Sequence, residues 1–223
     1  MTAQPGEGRR RSTLSGAGQI AERIRKLPFY KEALHILCAP VSGLFQIRLN
    51  GLMDGKTVTI PTQGLGKGFV MLDPRAIPST QRFQAARLLG NVLKERRIPY
   101  DRPLPLPIDL AVTDALAADG DGNILGDGAG HLDLQIAILN HLGWLSSEVV
   151  LVAVVAEENF LPAVPGEEMD VRTHWIVTPN RAIRTSASGF PQAQIRWDKL
   201  ALRSIRRNAA LFHLHNSIRK GIA

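Results

Sequence analysis

Apolar and polar positions alternate along the chain in a way that predicts strands and helices in regular succession. Gln19–Leu27 places Ile20, Ala21 and Ile24 at helical spacing, and Pro28 is expected to end that helix. Ala33–Val41 (ALHILCAPV) reads as a buried strand, Leu44–Met53 as a helix closed by Asp54-Gly55, Lys56–Pro61 as a second strand and Gly68–Leu72 as a short third one. Strand, helix and strand in this order predict a βαβ unit and a parallel sheet. Residues 79–97 are polar and basic with Phe83, Ala86, Leu89 and Val92 on one face, which predicts a surface helix. Pro103, Pro105 and Pro107 then form an extended approach to an apolar strand at Ile108–Leu116. In the next helix Leu134, Ala137, Ile138, His141 and Leu142 share a face, and Gly143 is the stop. Val149–Ala156 (VVLVAVVA) is continuously apolar and so is expected at the centre of the sheet, covered on both faces. His174–Thr178 is a last strand before Pro179, which brings the count to six or seven strands with no internal repeat.

The most chemically suggestive stretch joins the strand at 108–116 to the following helix through Gly120, Gly122, Gly126, Gly128 and Gly130. A glycine-rich strand-to-helix turn aims unpaired N–H groups and the positive end of a helix dipole at one point, which favours an anion. The spacing is neither that of a dinucleotide fingerprint nor that of a P-loop, and the turn holds no lysine. Asp119, Asp121 and Asn123 imitate the start of a calcium loop, but Ile124 and Gly130 stand where that loop needs glycine and glutamate. Asp133 reads either as a metal ligand or as an acid favoured by the helix dipole. His131 reads either as a base or ligand, or as a plain polar loop residue. Glu157 and Glu158 follow the VVLVAVVA strand on the side where open α/β sheets place ligands, and Glu167, Glu168 and Asp170 lie in the loop beyond.

Composition narrows the class. A chain of 223 residues with 44% hydrophobic and 21% charged residues can bury a sizeable core, and no apolar run approaches the roughly 18 residues of a membrane span. The N-terminal stretch lacks the apolar core of a signal peptide, and Cys38 is the sole cysteine, so the expectation is a cytoplasmic protein with neither a disulfide framework nor a cysteine-rich zinc site. Residues 1–16 are expected to be a disordered basic leader, 17–200 a single α/β domain and 201–223 a basic helix or tail. The net charge of +7 concentrates at the ends, in Arg9–Arg11 and in Arg203, Arg206, Arg207, Arg219 and Lys220. No nucleic-acid motif accompanies them, so solvated ends without a dedicated nucleic-acid site are expected. Trp144, Trp175 and Trp197 are expected to pack, and Cys38 to be a small core residue.

Three anchors, in order and spacing, carry a resemblance: IDL followed by GNILGDGAGHLD (108–133), PGEEMDV (165–171) after the apolar strand, and IVTPNRAI (176–183). Together they resemble the 5-formyltetrahydrofolate cyclo-ligase family, also called methenyltetrahydrofolate synthetases. In its better-known branch the turn reads R-L-G-x-G-x-G-Y-Y-D. A second branch, of archaeal and methenyltetrahydrofolate synthase domain-containing proteins, reads G-K-G-x-G-x-x-D-L-E, and Asp133-Leu134-Gln135 is similar to its end. Arg48 before Gly51-Leu52, DGKTVTIP (54–61), Leu72-Asp73-Pro74 and Ile195-Arg196-Trp197 extend the likeness over about residues 19–200.

The resemblance implies a three-layer α/β/α fold with a mostly parallel central sheet, and an ATP- and Mg²⁺-dependent ring closure of a small folate-like or other amide substrate. It makes Asp133 and Asp170 the metal-associated acids. Gly126, Gly128, Gly130, His131 and Arg181 become candidates for the nucleotide, and Arg48 and Leu132 for the substrate. The turn also departs from the family pattern. Ile124 and Ala129 replace basic residues, Asp127 stands where the second branch commonly has lysine, and His131 and Leu132 replace tyrosines. Asp127 either recruits a second cation or marks loss of the anion site, and Arg181 and Arg184 either restore the lost charge or are simply solvated. Three readings follow: an ATP-dependent cyclo-ligase, a non-catalytic binding or regulatory module on the same fold, and an enzyme moved to another substrate.

Overall fold

The computed structural model describes residues 14–62, 65–88, 96–126, 128, 130–167 and 169–220. Asp127, Ala129, Glu168, residues 1–13 of the leader and 89–95 of the expected surface helix lie outside them. The strands are β1 (His35–Cys38), β2 (Thr57–Pro61), β3 (Phe69–Leu72), β4 (Ile108–Asp114), β5 (Ala117–Ala118), β6 (Ile124–Leu125), β7 (Leu145–Val154), β8 (Trp175–Val177) and β9 (Ala182–Arg184). The α-helices are α1 (Ala17–Lys26), α2 (Pro28–Glu32), α3 (Phe45–Met53), α4 (Ser79–Ala86), α5 (His131–His141), α6 (Leu202–Arg207) and α7 (Ala209–Arg219).

Seven strands form one sheet in the order β3-β2-β1-β4-β7-β8-β9. The five inner strands are parallel, and β3 and β9 join the edges antiparallel. Strand alternation divides the core in two. Ile36, Cys38, Leu110, Val112, Val152 and Val154 face a cluster that also takes in Ile20 and Ile24 of α1, Ile47 and Leu52 of α3, and Ala85 and Ala86 of α4. Leu37, Ala111 and Leu151 face the other side, where they meet Ile136–Leu139 of α5, Ile205 of α6 and Ala210, Leu211 and Leu214 of α7. The result is the expected three-layer arrangement with a mostly parallel centre. Cys38 is fully buried, and burial pushes its thiol up to about 11, in keeping with a packing role. Trp144 is buried against Phe69 and Tyr100, whereas Trp175 and Trp197 are only half-buried.

Local differences from the sequence expectation have local causes. Pro28 ends α1 as expected but also occupies the first turn of α2, where its missing N–H costs nothing. The helix α4 ends at Ala86. Leu88 already has φ +61°, and residues 96–98 run beside β3, with Met71 N donating to Arg96 O and Ile98 N to Phe69 O. The two-residue strands β5 and β6 and the three-residue β9 are too short to leave a periodic signal. The 202–219 segment forms two helices, α7 being capped by Asn208, whose side-chain oxygen accepts from the N–H groups of Ala210 and Leu211. Among the described residues no helix is long and apolar enough to cross a membrane.

Candidate functional site

The direction of chain progression reverses between β1 and β4: one connection leads outward from β1 to β2, the other from β4 to β7. Crevices at such switch points, outside the C-terminal ends of parallel strands, are where open α/β sheets bind ligands. Here a narrow crevice is lined by Leu37 of β1 and Ala39 just beyond it, Ala111 and Thr113 from β4, and Leu132 and Gln135 from α5.

Above it stands the glycine turn. Gly130, at φ +60°, is the N-cap of α5, and Leu134 N donates to its carbonyl as the first helical bond. Gly128 is also left-handed, at φ +80°. A β-carbon added at Gly126, Gly128 or Gly130 would meet no atom within 4 Å, so the turn is open above the first amides of the helix. His131 is the first residue of α5 and is exposed. Leu132 lines both the crevice and a second, adjacent cleft.

The second cleft is walled by Asn123, Ile124, Leu132, Asp133, Gly166, Asp170 and Val171. Asp133 lies in the first turn of α5, half-buried, and its Oδ1 accepts from Val171 N at 2.8 Å. Burial raises its pKa, the charge of Asp170 adds to the rise, and the Val171 hydrogen bond opposes it. Asp170 is exposed and its Oδ2 accepts from Glu167 N at 2.8 Å. Asp133, whose charge is opposed by burial and by Asp170, and the exposed Asp170 across the same cleft can offer two carboxylates to a hard dication, while the open helix N-terminus favours an anion. Among the described residues no three His, Cys, Asp or Glu side chains form a metal cluster. A bound cation would therefore need oxygens from its ligand as well.

Asp119 is the residue that sequence reasoning misses. The incomplete calcium-loop pattern leaves it without a role, yet it is 2% exposed and accepts from Asp121 N, Asn123 N, Asn123 Nδ2 and Val164 N at 2.8–3.0 Å. Burial works against its charge, but the Asn123 amide and the three backbone N–H groups outweigh that and hold the carboxyl below the ordinary aspartate range. One carboxylate thus ties the β5–β6 hairpin to the loop that carries Gly166 and Asp170. Gly166 packs on Asn123, where a β-carbon would come within 2.8 Å of Oδ1. Gly122, at φ +84°, lies against Thr173 so closely that a β-carbon would be 2.4 Å from its carbonyl oxygen. Asp and Asn spaced around glycines are side-chain-to-backbone turn formers, and that is the signal the sequence offers.

The remaining candidates stand apart. Arg48 is 2% exposed, and its guanidinium donates to Ala86 O, Ala39 O and Val41 O at 2.7–2.9 Å. It braces the turn between β1 and α3 from within the other layer and is not among the residues lining the cleft. Arg181 lies in the β8–β9 turn, where Nε donates to Glu157 Oε1 at 2.7 Å and the guanidinium sits 5.0 Å from the Phe160 ring centre. Phe160 in turn bridges to Ala118 of β5, so Arg181 is at the rim, one segment away from the hairpin. Arg184 is exposed.

The sequence model of the 5-formyltetrahydrofolate cyclo-ligase family matches residues 2–179. The chain belongs to this family. It is 24% identical over 189 residues to the human methenyltetrahydrofolate synthase domain-containing protein and 25% identical over 188 residues to that of Bos taurus. These matches cover 84% and 83% of this chain, which spans about half the length of the relatives, 49% and 50%. The fold is similar to the NMR structure of 5,10-methenyltetrahydrofolate synthetase from Aquifex aeolicus, with a TM-score of 0.52 and 16% identity over 83% of this chain and 89% of that one.

Proposed function

We propose that the chain is an ATP- and Mg²⁺-dependent cyclo-ligase acting on 5-formyltetrahydrofolate or a related small amide. The observation that carries this reading is the pairing of Asp133 and Asp170 across a cleft next to the open turn at Gly126–Gly130. The phosphates would lie against the first amides of α5, and Asp133 and Asp170 would hold Mg²⁺. When bound, that ion would supply positive charge to the transferring phosphoryl group. In the reaction the formyl oxygen takes the γ-phosphoryl group and ADP leaves. The N10 amine then attacks the activated carbon and gives up its proton to solvent, and the C–O bond breaks as phosphate departs to give the 5,10-methenyl product. The chain's own part is to cradle phosphate through backbone N–H groups and to hold the substrate over the crevice at Leu132 and Gln135.

One observation favours a second reading, the non-catalytic binding module: residues 124–133 contain no Lys or Arg. A charge-assisted hydrogen bond from a basic side chain to phosphate is typically worth ~1.5–3 kcal/mol, and this turn can make none of them. Calorimetric titration with Mg·ATP, without and then with 5-formyltetrahydrofolate, separates the two. The cyclo-ligase reading expects micromolar binding that is abolished in Asp133→Ala, followed by formation of methenyl product. It also expects Mg²⁺ alone to bind far more weakly than Mg·ATP, since two carboxylates supply only part of a coordination shell. No heat up to millimolar Mg·ATP would sink the mechanism and leave the binding module.

A further inference from the structure

Seven cations and a single acid, Asp198, fall within residues 196–220, and all eight are exposed. A basic tail without structure would simply be solvated, but this one is built. Ile205 is the buried residue of α6; by the 100° step per residue, Arg203 and Arg207 lie on the opposite side of that helix and Arg206 on its flank. On α7 the buried residues are Ala210, Leu211 and Leu214. Ile205 and these three enter one apolar cluster, so the outward faces of both helices look to the same side. Phe212 is 47% exposed and stands seven positions, two turns, from Arg219 on one stripe of α7. Between them lies the half-buried His215, whose ring centre is 5.8 Å from that of Trp197. Among the described residues, none of the seven cations is engaged in an ion pair.

We infer that the outward face of α6 and α7 binds single-stranded nucleic acid, the arginines of α6 contacting phosphates while Phe212 offers a surface on which a base can stack. Arginine's planar fork suits phosphate, and an exposed aromatic ring among cations is the combination that single strands use. An anionic membrane fits less well: Leu202, Phe212 and Ile218 are exposed, but at 100° per residue Phe212 and Ile218 stand about 120° apart on α7, so they form no continuous free apolar face of the kind a helix in a membrane interface needs.

The test is fluorescence anisotropy of the full chain with a labelled oligothymidine of about 20 nucleotides, read at several salt concentrations. Replacing Arg203, Arg206 and Arg207 together by Gln is expected to weaken binding at least tenfold and to reduce the slope of log K against log salt by about 2, three phosphates at roughly 0.7 each. Phe212→Ala is expected to weaken it roughly tenfold with the slope unchanged. Replacing Arg9, Arg10 and Arg11 by Gln is expected to leave most of the affinity in place. The inference is overturned by absence of binding, by an α6 triple variant that binds like the parent, or by loss confined to the N-terminal triple. Binding to anionic vesicles but not to the oligonucleotide overturns it equally. Should the α6 triple variant fail to fold, Arg206→Gln and Phe212→Ala decide at the same salts.

Discussion

Asp119 and Asp133 stand on either side of one glycine turn, and their surroundings are opposite. Asp119 is buried with four donors around it, and its pKa falls. Asp133 is half-buried with a backbone donor from Val171 and a second carboxylate nearby, and its pKa rises. At the first acid the donors outweigh burial; at the second, burial and the neighbouring charge of Asp170 outweigh the hydrogen bond from Val171. Hydrogen bonds and charge thus distinguish an acid that the fold holds ionised from one that it does not, and the second is the acid proposed to meet a ligand.

The largest effect should come from breaking the first of these. Asp119→Ala leaves four N–H donors without their acceptor; the buried Val164 N–H costs about 1–3 kcal/mol and the three part-buried donors, which water can partly satisfy, add less each, so a loss of roughly 3–5 kcal/mol is expected by urea denaturation. Gly122→Ala should follow at about 2–3 kcal/mol, from the left-handed φ and the clash with the Thr173 carbonyl. If Asp119→Ala costs under about 1 kcal/mol, the least expected for even one orphaned donor, the hairpin does not depend on the carboxylate and the contrast with Asp133 collapses.

A pH series sharpens the comparison, because the two acids carry opposite signs. The stability contributed by Asp119, whose pKa is depressed on folding, is present above the ordinary aspartate value of 3.8 and is lost as pH falls through the lower folded value. For Asp133, raised on folding, the favourable contribution is complete below 3.8 and is lost as pH rises through the higher folded value. Asp119→Asn should therefore be less stable than the parent at neutral pH, with the gap closing in acid. Asp133→Asn should be as stable as the parent or slightly more so at neutral pH, its advantage vanishing in acid, while losing Mg·ATP binding. Stability curves of the same sign for both variants would refute the assignment of roles.

How much of the molecule is legible in its sequence follows the same division. The βαβ unit of β1, α3 and β2, the central β7 and the helix α5 are legible because long apolar runs and helical periodicity report burial directly. The pair of Asp133 and Asp170 comes from the family resemblance, and nothing in their spacing alone would join them. Asp119 is obscured by its own surroundings: its partners include Val164, far away in sequence, and a D-x-D-x-N string does not say whether it will bind an ion or its own backbone. Arg48 misleads for the complementary reason. Its position matches a family pattern, but sequence carries no record of whether a guanidinium faces a cleft or three carbonyls. The C-terminal helices are obscured too, since half of the residues of α6 are arginine and only four buried apolar residues fix the orientation of the pair.

The smallest change in stability is expected at Arg181, and it tests whether a cation outside the glycine turn takes over the missing charge. Its ion pair with Glu157 is exposed, and such pairs are worth about 0–1 kcal/mol, so Arg181→Ala should leave the unfolding midpoint almost unmoved. Glu157→Gln should be similarly mild for the fold. The two diverge in binding. If Arg181 leaves Glu157 to meet a nucleotide phosphate, Arg181→Ala weakens Mg·ATP several-fold, whereas Glu157→Gln strengthens it by releasing the guanidinium from its partner. Equal Mg·ATP affinities in the parent and both variants would show that the rim arginine has no part in the site, and the proposed nucleotide would then have to be held through backbone N–H groups of the turn and the cation proposed at Asp133 and Asp170.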